Sequence, residues 1–385
     1  MMRHNCVTRA AFLLATAAAL AATLGCGLST GAGTSIAPAP APPTAPAKTT
    51  YVYVGQGSTA TIDQFQIASD GTLAPLTPPT VSAFSPYGPG WIITDPSSTY
   101  LFASSFGAPT AIDQFVINSD GTIAPNSVAA VNGGNGVYPF VFTADGKFAI
   151  VPSLYYPSGV TTYSLDSSGT LTSVDTLTIG DAPIAAATDP TGKYVYVGGV
   201  GNGLDGAIYE YSISADGTLT PLVPASSNAP PGVAYIAVSP KGFLYSVNRG
   251  VGTVTTFQID ETTGALANAG SFASGIGPNS YPSWIAFDPT GSYAYVSNVT
   301  DNSISQFTVN ATTGALTMSG PDIATGTWPS QIAVDPSGKY AYVMNFQGGV
   351  FQYTIGSDGT LTPNGTTSLG DPSTITQGAI AFATR

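Results

Sequence analysis

Charge is scarce in this 385-residue chain. Lys, Arg, Asp and Glu make up 8% of it, with 9 basic residues against 21 acidic ones and a single histidine. A chain so poor in cations offers no clustered Lys and Arg for nucleic acid or anionic lipid. Two cysteines, Cys6 and Cys26, cannot form a disulfide framework. His4 lies at the extreme N-terminus, so the body has no Ser-His-Asp or Cys-His set and lacks the usual nitrogen ligand of zinc. No Gly-rich phosphate loop precedes a helix. Beyond the N-terminus, no apolar run reaches the roughly 18 to 20 residues of a membrane helix.

What the chain does have is 45 Gly, 31 Pro, 43% hydrophobic residues and 10% aromatics. That is enough apolar mass for a core, and such frequent punctuation favours many short strands over long helices. Met1 to Leu24 has the form of a secretory signal, with Arg3 and Arg9 before the small-residue apolar run Ala10 to Leu24. Thr23-Leu24-Gly25-Cys26 resembles the bacterial lipobox, so residues 1–25 are expected to be removed and Cys26 lipidated. Losing Arg3 and Arg9 leaves 7 basic against 21 acidic residues, a net charge of −14. Residues 26–50, rich in Ala, Pro, Ser, Thr and Gly, form a semi-extended tether. The expected location is the bacterial cell envelope, on its periplasmic or outer side, with membrane contact only through the lipid.

Residues 51–385 repeat. Ser69-Asp70-Gly71-Thr72-Leu73 returns around Gly121, Gly169, Gly217, Gly264, Gly314 and Gly359, at spacings of 50, 48, 48, 47, 50 and 45 residues. Seven copies with this period indicate four-stranded propeller blades. A representative repeat runs through Ile332-Ala333-Val334, the turn Asp335-Pro336-Ser337-Gly338, then Tyr340-Ala341-Tyr342-Val343, then a strand ending in Tyr353 and Ile355. The aromatic-x-aliphatic pair recurs as Phe65/Ile67, Phe115/Ile117, Tyr163/Leu165, Tyr211/Ile213, Phe257/Ile259 and Phe307/Val309. Spacing of two puts each pair on one strand face, where neighbouring blades bury it.

The termini are out of phase. The chain opens on a second-type strand, Tyr51-Val52-Tyr53-Val54, and ends on a first-type strand, Ile380-Ala381-Phe382. The expected fold is therefore an all-β, seven-bladed propeller of four-stranded antiparallel blades, closed one-plus-three by the C-terminal strand.

Both Asp-bearing turns share one face. Their Lys and Asp residues, including Asp95, Asp189, Asp288 and Asp335, read as solvated turn residues. The opposite face carries the variable loops. Just before the first strands, at the inner mouth, come Trp91, Pro139, Ala185, Tyr235, Trp284, Gln331 and Ala379, with Tyr138, Tyr281 and Trp328 nearby. Aromatic platforms beside Asn, Asp and Gln suit sugars or other flat polar ligands; packing against neighbouring loops is the competing reading. Arg249 is the only arginine between the signal and Arg385. With Asp181, Asp205, Asp301 and Asp322 expected nearby, it is read first as the partner of an Asp and second as an anchor for a ligand carboxylate.

Tyr340-Ala341-Tyr342-Val343-Met344-Asn345, the preceding Asp335-Pro336-Ser337-Gly338-Lys339, Thr313-Gly314-Ala315-Leu316 and Gly275-Ile276-Gly277-Pro278 resemble the seven-bladed lactonase family. That family includes bacterial 6-phosphogluconolactonase and muconate-lactonising propellers. The resemblance covers residues 51–385 and implies lactone chemistry. It departs where the family has Arg-His after Gly-Pro, since Asn279-Ser280 stands here. It departs again where the family has Asn-Glu, since Asn248-Arg249 and Asn298-Val299 stand here. The family's catalytic His and Glu therefore have no counterpart, and an acidic mouth opposes a phosphorylated lactone.

The leading expectation is a lactonase-like propeller that binds a small polar ligand or an envelope protein through its loop face, without catalysis. The alternative is a divergent lactone hydrolase using Asp-activated water, with Asp205 and Asp301 as candidates and nothing in the spacing selecting a pair. A scaffold for envelope proteins is a third reading. The expected ligand-binding residues are Trp91, Tyr138, Tyr235, Arg249, Tyr281, Trp284, Trp328 and Gln331. No cofactor or metal is implied, although calcium held by loop Asp and carbonyl oxygens stays open. A monomer is expected, with no nucleic-acid partner.

Overall fold

The computed structural model describes residues 48–385 except 84–87, 106–109, 129, 135, 156–157, 201–205, 276, 278, 348 and 370–377. The signal segment, Cys26 and nearly all of the tether lie outside the described residues. Seven antiparallel sheets follow one another along the chain. Blade 7, for example, consists of Pro329–Val334, Tyr340–Asn345, Gly349–Ile355 and Leu361–Thr367, in that order from the inside outward. The fourth strand is split in blade 2 (Ile123–Pro125 and Val131–Gly134) and in blade 6 (Leu316–Met318 and Ile323–Ala324).

Each seam between blades holds its own apolar cluster. Tyr51, Tyr53 and Ile62 of blade 1 meet Leu101, Phe115 and Ile117 of blade 2. At the last seam, Tyr342, Met344 and Val350 of blade 7 meet Val52, Val54, Phe65 and Leu73 of blade 1. Strand alternation produces this arrangement: successive side chains face opposite neighbours, so both faces of every sheet are buried.

A polar bond accompanies the apolar one. The Tyr at the third position of a second strand (Tyr-x-Tyr, or Phe-x-Tyr in blade 5) donates its hydroxyl to the Gly carbonyl of the next blade's Asp-Gly or Thr-Gly turn. Tyr53 reaches Gly121 O at 2.7 Å, Tyr245 reaches Gly314 O at 2.7 Å and Tyr295 reaches Gly359 O at 2.8 Å. Tyr342 closes the circle on Gly71 O at 2.8 Å. A second device sits on the third strands. Gln64 Oε1 accepts from Ile123 N at 2.6 Å, and Gln306 Oε1 from Leu361 N at 2.6 Å. In blade 4 a carboxylate takes this place: Glu210 Oε2 accepts from Leu266 N at 3.0 Å, and Oε1 from Ser227 Oγ at 2.5 Å. Burial raises the Glu210 carboxyl above its ordinary 4.5.

The C-terminal strand Ile380–Thr384 pairs antiparallel with Thr50–Gln56, with Thr50 opposite Thr384 and Val52 opposite Phe382. Gln331 spans the adjacent seam. Its Oε1 accepts from Ile380 N at 2.7 Å, and its Nε2 donates to Ile380 O at 3.1 Å.

The aspartates of the Asp-Gly turns, such as Asp70, Asp120, Asp216 and Asp358, are exposed as the sequence suggested, but those that open the first-to-second turns are not. Asp95, Asp189, Asp288 and Asp335 are buried, and their carboxylates organise the turn. In Asp335, Oδ1 accepts from Lys339 N at 2.9 Å and Tyr340 N at 2.8 Å, while Oδ2 accepts from Ser337 N at 2.9 Å. The turn folds back over its own Asp, so backbone N–H groups replace the water that sequence reasoning supplied.

Removing residues 377–385 takes away the innermost strand of blade 1, and the melting temperature should fall sharply; an unchanged melt contradicts the closure. Glu210→Gln recreates the Gln arrangement of blades 1 and 6 without a desolvated charge. Because the folded-state pKa of Glu210 lies above the unfolded one, ionisation with rising pH weakens the native state. The variant should therefore melt a few degrees above the wild type at pH 7 to 8, with the gap closing toward pH 4 to 5, about where an unfolded Glu titrates. Melting curves across that range check both sign and window.

Candidate functional site

The loop-bearing end of the channel opens into a cavity of about 740 Å³. Trp91, Tyr138, Arg249, Tyr281, Trp284 and Trp328 all line it, with Ser283, Thr300, Ser330 and Phe346 between them. These residues come from blades far apart in sequence. Their convergence depends on how the first strands are built.

Trp91, Tyr235, Trp284 and Gln331 do not precede their strands, as the sequence suggested, but lie within them. The strands begin earlier, at Pro89, Val233, Pro282 and Pro329, and slip register immediately. The shift falls between Pro89 and Trp91, Val233 and Tyr235, Pro282 and Trp284, and Pro329 and Ile332. The residues left unpaired by the slip are Gly90, Ala234, Ser283 and the Ser330-Gln331 pair, and such a bulge re-aims the strand just ahead of Trp91, Tyr235 and Trp284.

The result is a stack of rings across the opening. Tyr235 of blade 5 lies on Trp284 of blade 6, with centroids 3.6 Å apart and planes 15° apart. Trp284 in turn stacks on Trp91 of blade 2 at 5.4 Å and 18°. Tyr138 of blade 3 leans on Trp91 at 6.4 Å. Trp91 and Trp284 line the mouth cavity and also a second cavity of about 490 Å³, which Tyr235 and Gln331 border as well. The aromatic set is therefore a septum with a chamber on each side. Burial pushes up the pKa of both the Tyr235 and the Tyr138 phenols, keeping them protonated and able to donate at neutral pH. The Arg249 cation, on the wall of the same cavity, partly offsets the rise at Tyr138.

Arg249 is exposed at the cavity wall and makes no ion pair among the described residues. The sequence favoured an Asp partner, and the fold gives its described candidates other neighbours. Asp181 accepts the Tyr209 hydroxyl. Asp301 is directed at the Gly275 turn, where a Cβ on Gly275 would lie 2.5 Å from its Oδ2. Burial raises the Asp322 carboxyl, Ser305 lowers it, and the nearby Asp301 charge raises it further. Asp205 lies outside the described residues. No carboxylate borders the mouth cavity, and no group of three or more acidic, His or Cys side chains converges as a metal site, both statements being of the described residues. No helix long and apolar enough to cross a membrane occurs among them.

Sequence reasoning missed the backbone at the rim. Tyr281 and Trp328 have φ of 49° and 54°, a left-handed conformation that non-glycine residues seldom adopt. The available signal was positional, because the equivalent residues Gly88, Gly136 and Gly232 are glycines with φ of 65°, 70° and 73°.

A family model described as lactonase, 7-bladed beta-propeller, matches residues 34–327. The chain is 26% identical over 284 residues to a 6-phosphogluconolactonase of Serratia proteamaculans, spanning 70% of this chain and 80% of that protein. Among solved structures, the periplasmic gluconolactonase PpgL of Pseudomonas aeruginosa superposes with a TM-score of 0.74 at 18% identity, covering 88% of this chain and 99% of that one. A candidate 6-phosphogluconolactonase of Bacteroides fragilis superposes with a TM-score of 0.74 at 20% identity, covering 89% of this chain and all (100%) of that one.

Proposed function

The chain belongs to the lactonase family of seven-bladed β-propellers, and from that premise we propose that it is an exported hydrolase of uncharged cyclic esters, with sugar lactones as the substrate class. The observation that carries the reading is Arg249: a guanidinium free of any carboxylate partner among the described residues, at the wall of an aromatic cavity. The aromatic rings would hold the flat, C–H-rich face of a lactone. Arg249 would receive the carbonyl oxygen and stabilise the oxyanion formed when water adds to the carbonyl carbon. The ring C–O bond then breaks, and the departing alkoxide takes up the proton that the attacking water released. Of the two carboxylates the sequence offers to carry that proton, Asp301 does not line the described cavity wall and Asp205 lies outside the described residues.

The open product is a hydroxy acid that ionises at neutral pH. It would leave a protein whose processed form has 7 basic and 21 acidic residues, a balance that repels the product carboxylate. The same balance disfavours a phosphorylated substrate. Relatives named for both kinds of lactone exist, and charge favours the unphosphorylated one here.

Binding without turnover is the second reading, favoured by the lack of a carboxylate on the cavity wall among the described residues. Acid release in excess of the spontaneous rate, measured by pH-stat over a panel of neutral sugar lactones, separates the two. Arg249→Met should lower kcat/KM about 100-fold, as loss of one oxyanion donor does, while leaving the melt unchanged because the side chain is exposed and makes no ion pair among the described residues. No acid release from any lactone, or a variant as fast as the wild type, rejects the hydrolase reading or the role of Arg249 respectively.

The proposal places the protein in the cell envelope, held by lipid on Cys26. Cys26→Ser should move it from the membrane fraction to the soluble one; retention in the membrane fraction refutes the anchor.

A further inference from the structure

Five non-glycine residues with positive φ occur among the described residues, and three of them, Tyr281, Asn302 and Trp328, belong to one hydrogen-bonded unit at the mouth side of blades 6 and 7. Tyr281 O accepts from Val299 N at 3.1 Å. Trp328 N donates to Asn302 Oδ1 at 2.8 Å, and Trp328 O accepts from Phe346 N at 3.1 Å. The loop from Val299 to Asn302 therefore fixes both aromatic residues. Each immediately precedes the strand residue that pairs with the last Asn of the second strand: Pro282 opposite Asn298, and Pro329 opposite Asn345. In blades 2, 3 and 5 that preceding position is Gly88, Gly136 or Gly232, also at positive φ. The turn needs a left-handed residue, and glycine supplies it without strain. Blades 6 and 7 put their two rim aromatics there instead.

Ring stacking does not account for the choice. Tyr281 and Trp328 remain 43% and 44% exposed, whereas Trp91, Tyr235 and Trp284 stack on one another. Neither rim ring stacks on another aromatic side chain, and the Tyr281 hydroxyl and Trp328 indole N–H have no partner, as far as the described residues go. Both nevertheless line the mouth cavity beside Thr300. Backbone strain kept where glycine would remove it, on rings left nearly half exposed, is what a ligand clamp looks like.

We infer that Tyr281 and Trp328 form a rim subsite for a neutral sugar ring, so that the ligand of this cavity extends beyond the single ring held near Arg249. The inference deepens the proposed function and rests on the mouth cavity being the ligand site, not on turnover. The chemistry selects the class. Amphipathic rings in fixed orientation match the C–H face of a pyranose, and their polar edges with the Thr300 hydroxyl match its equatorial hydroxyls. An anionic ring would find a single cation, Arg249, in the cavity wall.

The test is binding of cellohexaose, maltohexaose and chitohexaose, followed by tryptophan fluorescence and calorimetry on the compact propeller unit Ala47–Arg385, with Tyr281→Gly, Trp328→Gly and the double variant alongside. At least one hexasaccharide should bind, and the double variant should weaken it ten-fold or more while its melting temperature holds or rises by a few degrees. No binding by the wild type, binding kept in the double variant, or a melt that drops by several degrees in either single variant overturns the inference. The last result would make the rings packing elements. Because no step of the test requires hydrolysis, sugar binding without acid release leaves this inference standing while the hydrolase reading fails, and acid release without sugar binding does the reverse.

Discussion

A four-stranded sheet with two apolar faces cannot exist alone in water, and every feature of this molecule follows from how that condition is met. Each blade buries both faces against its neighbours, so the array is stable only when the last blade meets the first. The closing seam carries the same parts as the others: a cluster built on Tyr342, Val52 and Phe65, and a phenol bonded to the next blade's glycine carbonyl. Two further ties reinforce it, the C-terminal strand against Thr50–Gln56 and the Gln331 amide on Ile380. Covalent cross-links have no part in this. The ring is held by geometry and by loss of exposed apolar surface.

Closure has a consequence at the centre. The inner strands converge, and side chains from blades that never adjoin must share one channel. Five first strands slip register at their mouth end, and in three of them the next paired residue is aromatic. Tyr235, Trp284 and Trp91 then stack across the opening and divide the channel. The septum gives the mouth cavity a flat apolar floor while Arg249 stands at its wall. This combination, one cation above stacked rings, is what makes a neutral cyclic ester a chemically sensible occupant.

The scarcity of charge is also put to structural use. Buried carboxylates at Asp95, Asp189, Asp288 and Asp335 serve as acceptors for turn backbone. Glu210 does the same between blades. With these groups committed to the scaffold, the acidic excess of the composition overstates the negative charge available at the mouth. Two different populations of aromatics share that mouth: a stacked, half-buried set that forms the floor, and an exposed pair at the rim held in a conformation better suited to glycine.

The amino-acid sequence by itself determined the number of blades, their strand order, the interlocking of the two ends and the general place of the aromatic mouth. All of these depend on period and phase, which survive in one dimension: the seven Asp-Gly or Thr-Gly turns, the Tyr53-type strand at the start and the Ile380-type strand at the end. Only the tertiary structure decided which residues touch across the ring. It gave Asp181 the Tyr209 hydroxyl, turned Asp301 toward Gly275, buried Asp335 beneath its own turn, moved Trp284 from a loop into a bulged strand and set Gln331 to bonding Ile380. The physical reason is curvature. A channel a few side chains wide joins residues from non-adjacent blades, and their distances depend on bulges and backbone angles that no spacing along the chain records.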